Sequence, residues 1–340
     1  MEPVPENPHG FEADEVNRSN IGVVVIGRNE GERLGRCLRS VQSDTAAVVY
    51  VDSGSSDDSA MLASAIGVEV LLLDMSLPFT AARARNTGLR RLRELQPDVQ
   101  YVQFIDGDCE LIGDWLATAC RFLDEHHDVA VVCGRLRERF PQRSIYNLLC
   151  DMEWNRPAGE VRACGGIAMM RVEVLAAAGG FREDLIAGEE PELCVRIRAG
   201  GARIWRLADD MAWHDAAMLH FGQWWRRAIR AGYAYAEGSL LHGGPPERHY
   251  VPEARRALVW GAGLPLLIAV LSLNSPSWWV LLLIYPAQML RLAWRDGIGQ
   301  RERRWRAVFL VLSRFPEAQG MLRFWLNRWR RQRGALIEYK

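Results

Sequence analysis

Two carboxylates, Asp106 and Asp108, flank Gly107 where the apolar run 101–105 ends. Carboxylates released from a strand end into a crevice suit a hard divalent cation, Mg2+ or Mn2+, which takes oxygen ligands and substrate phosphates. Such a cation would neutralise the charge that grows on a leaving diphosphate. The same Asp-x-Asp pattern also serves as a solvated turn, so its neighbours matter. Asp52 ends a second apolar run, 48–51, ahead of Ser53-Gly54-Ser55-Ser56-Asp57-Asp58. Its carboxylate could accept the N3 proton of a uracil, while the serines and aspartates after it cap a helix. Arg83 and Arg85 open a further helical segment, from which guanidinium groups could reach a diphosphate. The alternative is a solvated arginine-rich face, since Arg90, Arg91 and Arg93 follow.

These residues need elements to hold them. Apolar runs of strand length at 21–26, 48–51, 68–73, 101–105 and 129–132 alternate with helical segments near 33–41, 56–66, 80–95 and 114–126. That alternation predicts βαβ units in a parallel sheet covered on both faces. Asn29, Glu30, Asp52, Asp106 and Asp108 then fall at strand C-termini, where open α/β sheets bind ligands, so one crevice could collect them. Beyond Phe140 the alternation weakens. It returns as 165–170, a short helix to 178, a helix over 190–199 and a strand over 203–207. A helix over 223–237 leads into Gly243-Gly244-Pro245-Pro246, which reads as a boundary.

The chain has 340 residues, enough for one large α/β domain and an appendage. Its formal net charge is zero, yet residues 251–340 carry fifteen Lys and Arg against five Asp and Glu, and seven of the thirteen Trp. Because the longest apolar runs lie in that same tail, the pattern points to a membrane face and away from nucleic acid. Two apolar stretches, 257–273 and 278–290, are separated by the uncharged Asn274-Ser275-Pro276-Ser277 and read as a helical hairpin. Arginines on both flanks place both ends on the cytoplasmic side. The alternative is a buried hairpin of a soluble protein. Residues 308–333 mix aromatics with arginines, as an interfacial helix does. Met1 to Asn20 shows neither a basic n-region nor an apolar h-region, so no secretory signal is expected. Seven cysteines without a C-x-x-C pair predict buried, reduced thiols.

The segment 21–237 resembles the family-2 glycosyltransferases, whose catalytic domain has the GT-A fold. Six motifs carry the resemblance in order: Gly27-Arg28-Asn29-Glu30, Asp52-Ser53-Gly54-Ser55, Ala84-Arg85-Asn86-Thr87-Gly88, Asp106-Gly107-Asp108, Gly165-Gly166, and Gly188-Glu189-Glu190-Pro191-Glu192-Leu193. The resemblance implies that Asn29, Glu30 and Asp52 bind the nucleotide, Asp106 contacts ribose or donor sugar, Asp108 holds the metal, and Gly165 and Gly166 line the acceptor side. Where the family has Glu-Asp, with the aspartate as catalytic base, this chain has Glu189-Glu190, so the role passes to Glu190, with Glu189 beside it in the substrate site and Glu192 as the neighbouring alternative. On residue types alone these acids only decorate a helix N-terminus. His214, in Trp213-His214-Asp215, sits where the family often has another metal ligand; a structural histidine is the other reading. Gln223 and Arg226 resemble the Gln-x-x-Arg-Trp box of polysaccharide synthases, but Arg227 stands in place of its tryptophan, which puts processive synthesis in doubt.

The expected fold is therefore α/β, a GT-A, Rossmann-like mixed sheet with a C-terminal helical membrane hairpin. Its expected parts are a flexible N-terminus over 1–20, the catalytic domain over 21–240, a linker over 241–256, the hairpin over 257–294 and a basic amphipathic segment over 295–340. The expected activity is inverting transfer from a nucleotide-diphosphate sugar, a UDP-sugar in the first instance, to a hydroxyl of a lipid-linked or glycan acceptor at the cytoplasmic face of the inner membrane. A sugar-nucleotide nucleotidyltransferase would need a Gly-rich phosphate loop after the first strand. A dinucleotide oxidoreductase would need Gly-x-Gly-x-x-Gly there, and Gly27, Gly31 and Gly35 have other spacing. A non-catalytic scaffold of the same fold is the remaining rival, and the intact acidic set argues against it.

Overall fold

The computed structural model describes residues 20–42, 45–332, 334 and 337. All but the last residue of the expected flexible segment 1–20 lies outside the described residues, as does part of the tail beyond 332. Nine strands form one sheet: β1 (Ile21–Gly27), β2 (Ala47–Asp52), β3 (Glu69–Leu72), β4 (Tyr101–Asp106), β5 (Cys109–Leu111), β6 (Val129–Glu138), β7 (Gly159–Glu160), β8 (Ala168–Arg171) and β9 (Arg203–His214). Their order is β3-β2-β1-β4-β8-β6-β9-β5, with β7 on the flank of β9.

The first four strands pair in parallel, as βαβ crossovers require. β8 then enters antiparallel between β4 and β6, so the sheet is mixed, and β6 meets β8 instead of continuing the parallel run. A short buried run such as Ala168–Met170 is apolar on both faces whichever way it points, which is why its direction is not written in the sequence. β9 runs on to His214, well past the expected 203–207, and β5 folds back on that extension with Cys109 opposite His214.

Eight helices belong to the α/β part: α1 (Glu32–Val41), α2 (Ser59–Ile66), α3 (Ala81–Leu95), α4 (Trp115–Glu125), α5 (Ile145–Trp154), α6 (Val172–Ala177), α7 (Glu189–Ala199) and α8 (Phe221–His242). Thr80 caps α3 by accepting the Arg83 amide at 3.1 Å. Gly88 lets α3 press onto β1, since a Cβ there would stand 2.4 Å from a Val24 methyl. The helix α5 went unpredicted although its signals are present: Ser144 caps it through the Asn147 amide, and Ile145, Leu148, Leu149 and Met152 recur at helical spacing.

The C-terminal part differs from a linker followed by a two-helix hairpin. α9 (Val251–Leu258) starts inside the expected linker and continues through a π-helical turn (Val259–Gly263) into α10 (Leu264–Asn274). This run, Val251–Asn274, is 24 residues long and contains an 18-residue stretch of mean hydropathy 1.9, and among the described residues it is the one helix long and apolar enough to cross a membrane. The returning arm is a 3-10 segment (Pro276–Leu283) and then α11 (Ile284–Asp296), because Pro286 has no amide for the Leu282 carbonyl and the α-helix starts only around it. The arm does come back: the Tyr285 hydroxyl donates to the Trp260 carbonyl at 2.7 Å.

α12 (Arg301–Leu312) and α13 (Arg314–Trp329) fall within the expected basic amphipathic segment and form two helices. α13 crosses α8 at backbone distance: a Cβ on Gly232 would lie 1.9 Å from the Glu317 carbonyl oxygen, and one on Gly320 would lie 2.0 Å from that of Ile229. Tyr233, Met321 and Phe324 close a second small core there.

Candidate active site

A cleft of about 1190 Å3 opens over the C-terminal ends of β1 and β4. Arg28, Asn29 and Glu30 line it from the loop after β1, Asp106 and Asp108 from the end of β4, and Gly188, Glu189 and Glu190 from the start of α7. Asn29 adopts φ 57°, a left-handed conformation that asparagine tolerates, and its Oδ1 accepts the Ser56 amide at 2.7 Å. That bond ties the β1 loop to the β2 loop. Glu30 pairs with Arg33 at 2.9 Å on the cleft wall.

Arg85, almost fully buried, is the charge at the centre. Its Nη2 donates to Asp106 Oδ1 at 2.9 Å and its Nη1 to Glu189 Oε1 at 2.8 Å. Burial pushes the Glu189 carboxyl up, but Arg85 and Arg230 more than offset it and hold it below the ordinary glutamate range. Gly166 passes directly over this bridge: a Cβ there would stand 2.7 Å from Arg85 Nη2. Gly165, at φ 87°, supplies the turn and faces open space without lining the cleft.

Asp108 and His214 meet, with Oδ2 and Nε2 3.3 Å apart. The pairing of β5 with β9 sets this contact, and Trp154 of α5 packs edge-on against the imidazole at 4.8 Å. Behind the ring lies Glu138, which sequence reading missed. It is buried at the end of β6, 3.7 Å from His214 Nδ1, and its carboxylate accepts Asn147 Nδ2 and the Phe140 and Ala216 amides. Asp108, Cys109 and His214 bring one carboxylate, one imidazole and one thiol within 4.8 Å of one another. With phosphate oxygens completing the shell, that donor set fits a divalent cation.

Glu190 is buried at the cleft floor, and its hydrogen bonds converge on one oxygen. Oε1 takes the Cys164 amide at 2.7 Å and has the sulfurs of Cys164 and Cys194 each at 2.9 Å. Burial pushes its carboxyl above the ordinary range, with the Cys164 and Cys194 contacts pulling partly back. Glu192, the sequence alternative, points elsewhere: it is held by Arg196 and by His242 at 2.9 Å, which keeps its carboxyl low against the effect of burial.

Four expected substrate contacts are arranged differently. Asp52 is buried outside the cleft lining, and its oxygens take the Gly54 and Ser55 amides and the Tyr50 hydroxyl, so the carboxylate builds the turn. Arg83 folds away and donates to the Asp74 and Leu77 carbonyls, stapling the loop before α3. Gln223 caps α8 by accepting the Leu219 and His220 amides. Arg226 is exposed and off the cleft. The helical period explains the last two: Trp224, Arg227, Ala228 and Ala231 share the cleft-facing stripe of α8, which positions 223 and 226 miss. In their place the far wall holds Arg227, paired with Glu153 at 2.9 Å, and Phe309 of α12, edge-on to Trp224 at 4.8 Å and to Tyr146 at 5.7 Å.

Residues 22–177 match the family described as Glycosyl transferase family 2. Two curated relatives are glycosyltransferase AglE of Haloferax volcanii, 24% identical over 62% of this chain and 71% of its own length, and the succinoglycan biosynthesis protein ExoA of Rhizobium meliloti, 26% identical over 75% of this chain and 81% of its own. Among solved structures, the mannosyltransferase PcManGT from Pyrobaculum calidifontis, in complex with GDP-Man and Mn2+, superposes with TM-score 0.62, covering 89% of this chain and 87% of that one at 22% identity. At that identity the likeness speaks for the fold, which is GT-A.

Proposed function

We propose that the chain, which matches the family-2 glycosyltransferases over residues 22–177, transfers a sugar with inversion from a nucleoside-diphosphate donor to the hydroxyl of a lipid-linked or polysaccharide acceptor. The observation that carries this reading is the convergence of Arg85, Asp106, Asp108, Glu189 and Glu190 on one cleft from elements far apart in the chain, with His214 against Asp108.

Glu190 is the general base. With Oε1 occupied by its three partners, Oε2 receives the proton of the acceptor hydroxyl as that oxygen attacks the anomeric carbon. The bond from the anomeric carbon to the phosphate oxygen breaks, and the nucleoside diphosphate leaves with the electron pair. A carboxyl raised by burial is a stronger base than an exposed one, which suits the task. Arg85 locks Asp106 and Glu189 in place, so donor hydroxyls meet fixed carboxylates. Asn29 and Glu30 border the nucleotide end. Asp108 and His214 would hold Mg2+ or Mn2+, which when bound supplies positive charge for the diphosphate. Glu138 bounds His214 from behind, 3.7 Å from its Nδ1.

The far wall suggests the acceptor. Tyr146, Trp224 and Phe309 give it an aromatic face, Arg227, Arg306 and Arg314 add positive charge, and the apolar run Val251–Asn274 begins close behind. An acceptor that is part lipid and part phosphate fits that wall, which supports a location at the cytoplasmic face of the inner membrane. The test is a donor screen with full-length protein in detergent. UDP- and GDP-sugars are offered with Mn2+ or Mg2+, and nucleoside diphosphate release is read with and without a polyprenyl phosphate acceptor. Acceptor-stimulated release supports the reading; no transfer with any donor opposes it.

A further inference from the structure

Glu190 stands between two thiols that the transfer reaction does not use. Cys164 comes from the segment before β8 and Cys194 from α7, one helical turn after Glu190, and their sulfurs are 3.9 Å apart. Each sulfur lies 2.9 Å from Glu190 Oε1, and all three residues are buried. Among the described residues all seven cysteines are free, so neither thiol is committed to a disulfide.

We propose that Cys164, Glu190 and Cys194 form a site for a thiophilic divalent cation of the Zn2+ class, whose occupation takes the general base out of the reaction. The spacing is the first argument. Two thiolates at ~2.3 Å from a tetrahedral zinc stand ~3.8 Å apart, close to the 3.9 Å found here. Oε1 needs to draw back by ~0.6 Å to sit at a zinc–oxygen distance, a small side-chain adjustment. The donor chemistry is the second: two sulfurs and one carboxylate select soft or borderline cations and disfavour the hard Mg2+ and Mn2+ expected at Asp108 and His214. Access is the third, since Glu190 lines the cleft. Binding releases the two thiol protons to solvent and draws an Oε1 electron pair to the metal, and the charge withdrawn leaves Oε2 too weak a base to take the acceptor proton.

The inhibitory part rests on Glu190 acting as the base, whereas the site itself does not, and the experiment separates them. Full-length protein is titrated with Cd2+ alone and thiolate-to-metal charge transfer is read in the ultraviolet for wild type, Cys164→Ser, Cys194→Ser and, as a thiol-count control, Cys120→Ser. Zinc absorption spectroscopy at one equivalent on wild type counts the sulfur ligands without any variant. Transfer is assayed in parallel with Zn2+ against a constant excess of Mn2+. The expected results are two sulfurs per zinc, a charge-transfer band lost in Cys164→Ser and Cys194→Ser but kept in Cys120→Ser, and a fall in wild-type transfer of about 10²-fold or more, the scale of a lost base. A nitrogen and oxygen shell, or at most one sulfur as Asp108, Cys109 and His214 would give, overturns the site. Equal charge-transfer bands in all four proteins overturn it as well. A site confirmed by both spectra with transfer unimpaired upholds the metal site and counts against Glu190 as base.

Discussion

Asp108 Oδ2 and His214 Nε2 lie 3.3 Å apart because β5 folds back along the C-terminal end of β9. If the pair holds the cation, Asp108→Asn should raise the Mn2+ concentration needed for half-maximal transfer by more than the roughly 10–100-fold that loss of an outer-shell partner costs. Glu138→Gln, which touches His214 only from behind, should fall inside that range. Unchanged metal dependence in Asp108→Asn removes the assignment.

The crossing of α8 and α13 carries a stability prediction. Gly320→Val would drive a side chain into the Ile229 carbonyl, and Gly232→Ala one into that of Glu317. Overpacking of this kind costs typically about 1–3 kcal/mol, and more where backbone must move. Both variants should melt earlier than wild type in detergent. They should also lose transfer, because Arg314 of the cleft wall rides on α13, and Arg306 and Phe309 on α12, which leads into it. Melting temperatures equal to wild type would show that α13 does not dock as described.

The Rossmann-like half of the fold was legible because its signals are local: five apolar runs, polar residues at their ends, and helices between them. The role of His214 at Asp108 was readable only by resemblance, since the contact depends on how far β9 extends and on β5, three residues long, which no periodicity marks. Glu138 escaped notice among the arginines of residues 135–139. Asp52, Arg83 and Gln223 share one arrangement: a polar residue near a strand end or a helix start satisfies backbone groups first, and its type does not say whether it turns to ligand or to the chain. Cys164 and Cys194 meet only in the folded chain, beside Glu190, and their spacing in sequence carries no trace of it.

Glu237 on α8 gives a pH prediction apart from catalysis. Burial, with Asp184 nearby and Arg182 opposing, raises its carboxyl to about 7. The folded-state value lies above the unfolded one, so the stability it permits is present at low pH and is lost as pH rises from the ordinary glutamate range through 7. Glu237→Gln removes that loss. Its melting temperature should exceed that of wild type at pH 8, with the gap closing toward pH 5; a constant gap across that range contradicts the assignment.

The most direct test of the whole account is transfer by Glu190→Gln under saturating acceptor, with donor affinity measured alongside. A general base contributes roughly 10²–10⁴-fold, so turnover should fall by about that factor while donor affinity holds, since the base acts on the acceptor hydroxyl. In wild type the acidic limb of the pH profile should lie above the ordinary glutamate range, because burial raises the Glu190 carboxyl, and the variant should lack that limb. Glu190→Asp, the residue the family carries, should retain measurable activity. Wild-type turnover in Glu190→Gln would contradict the account.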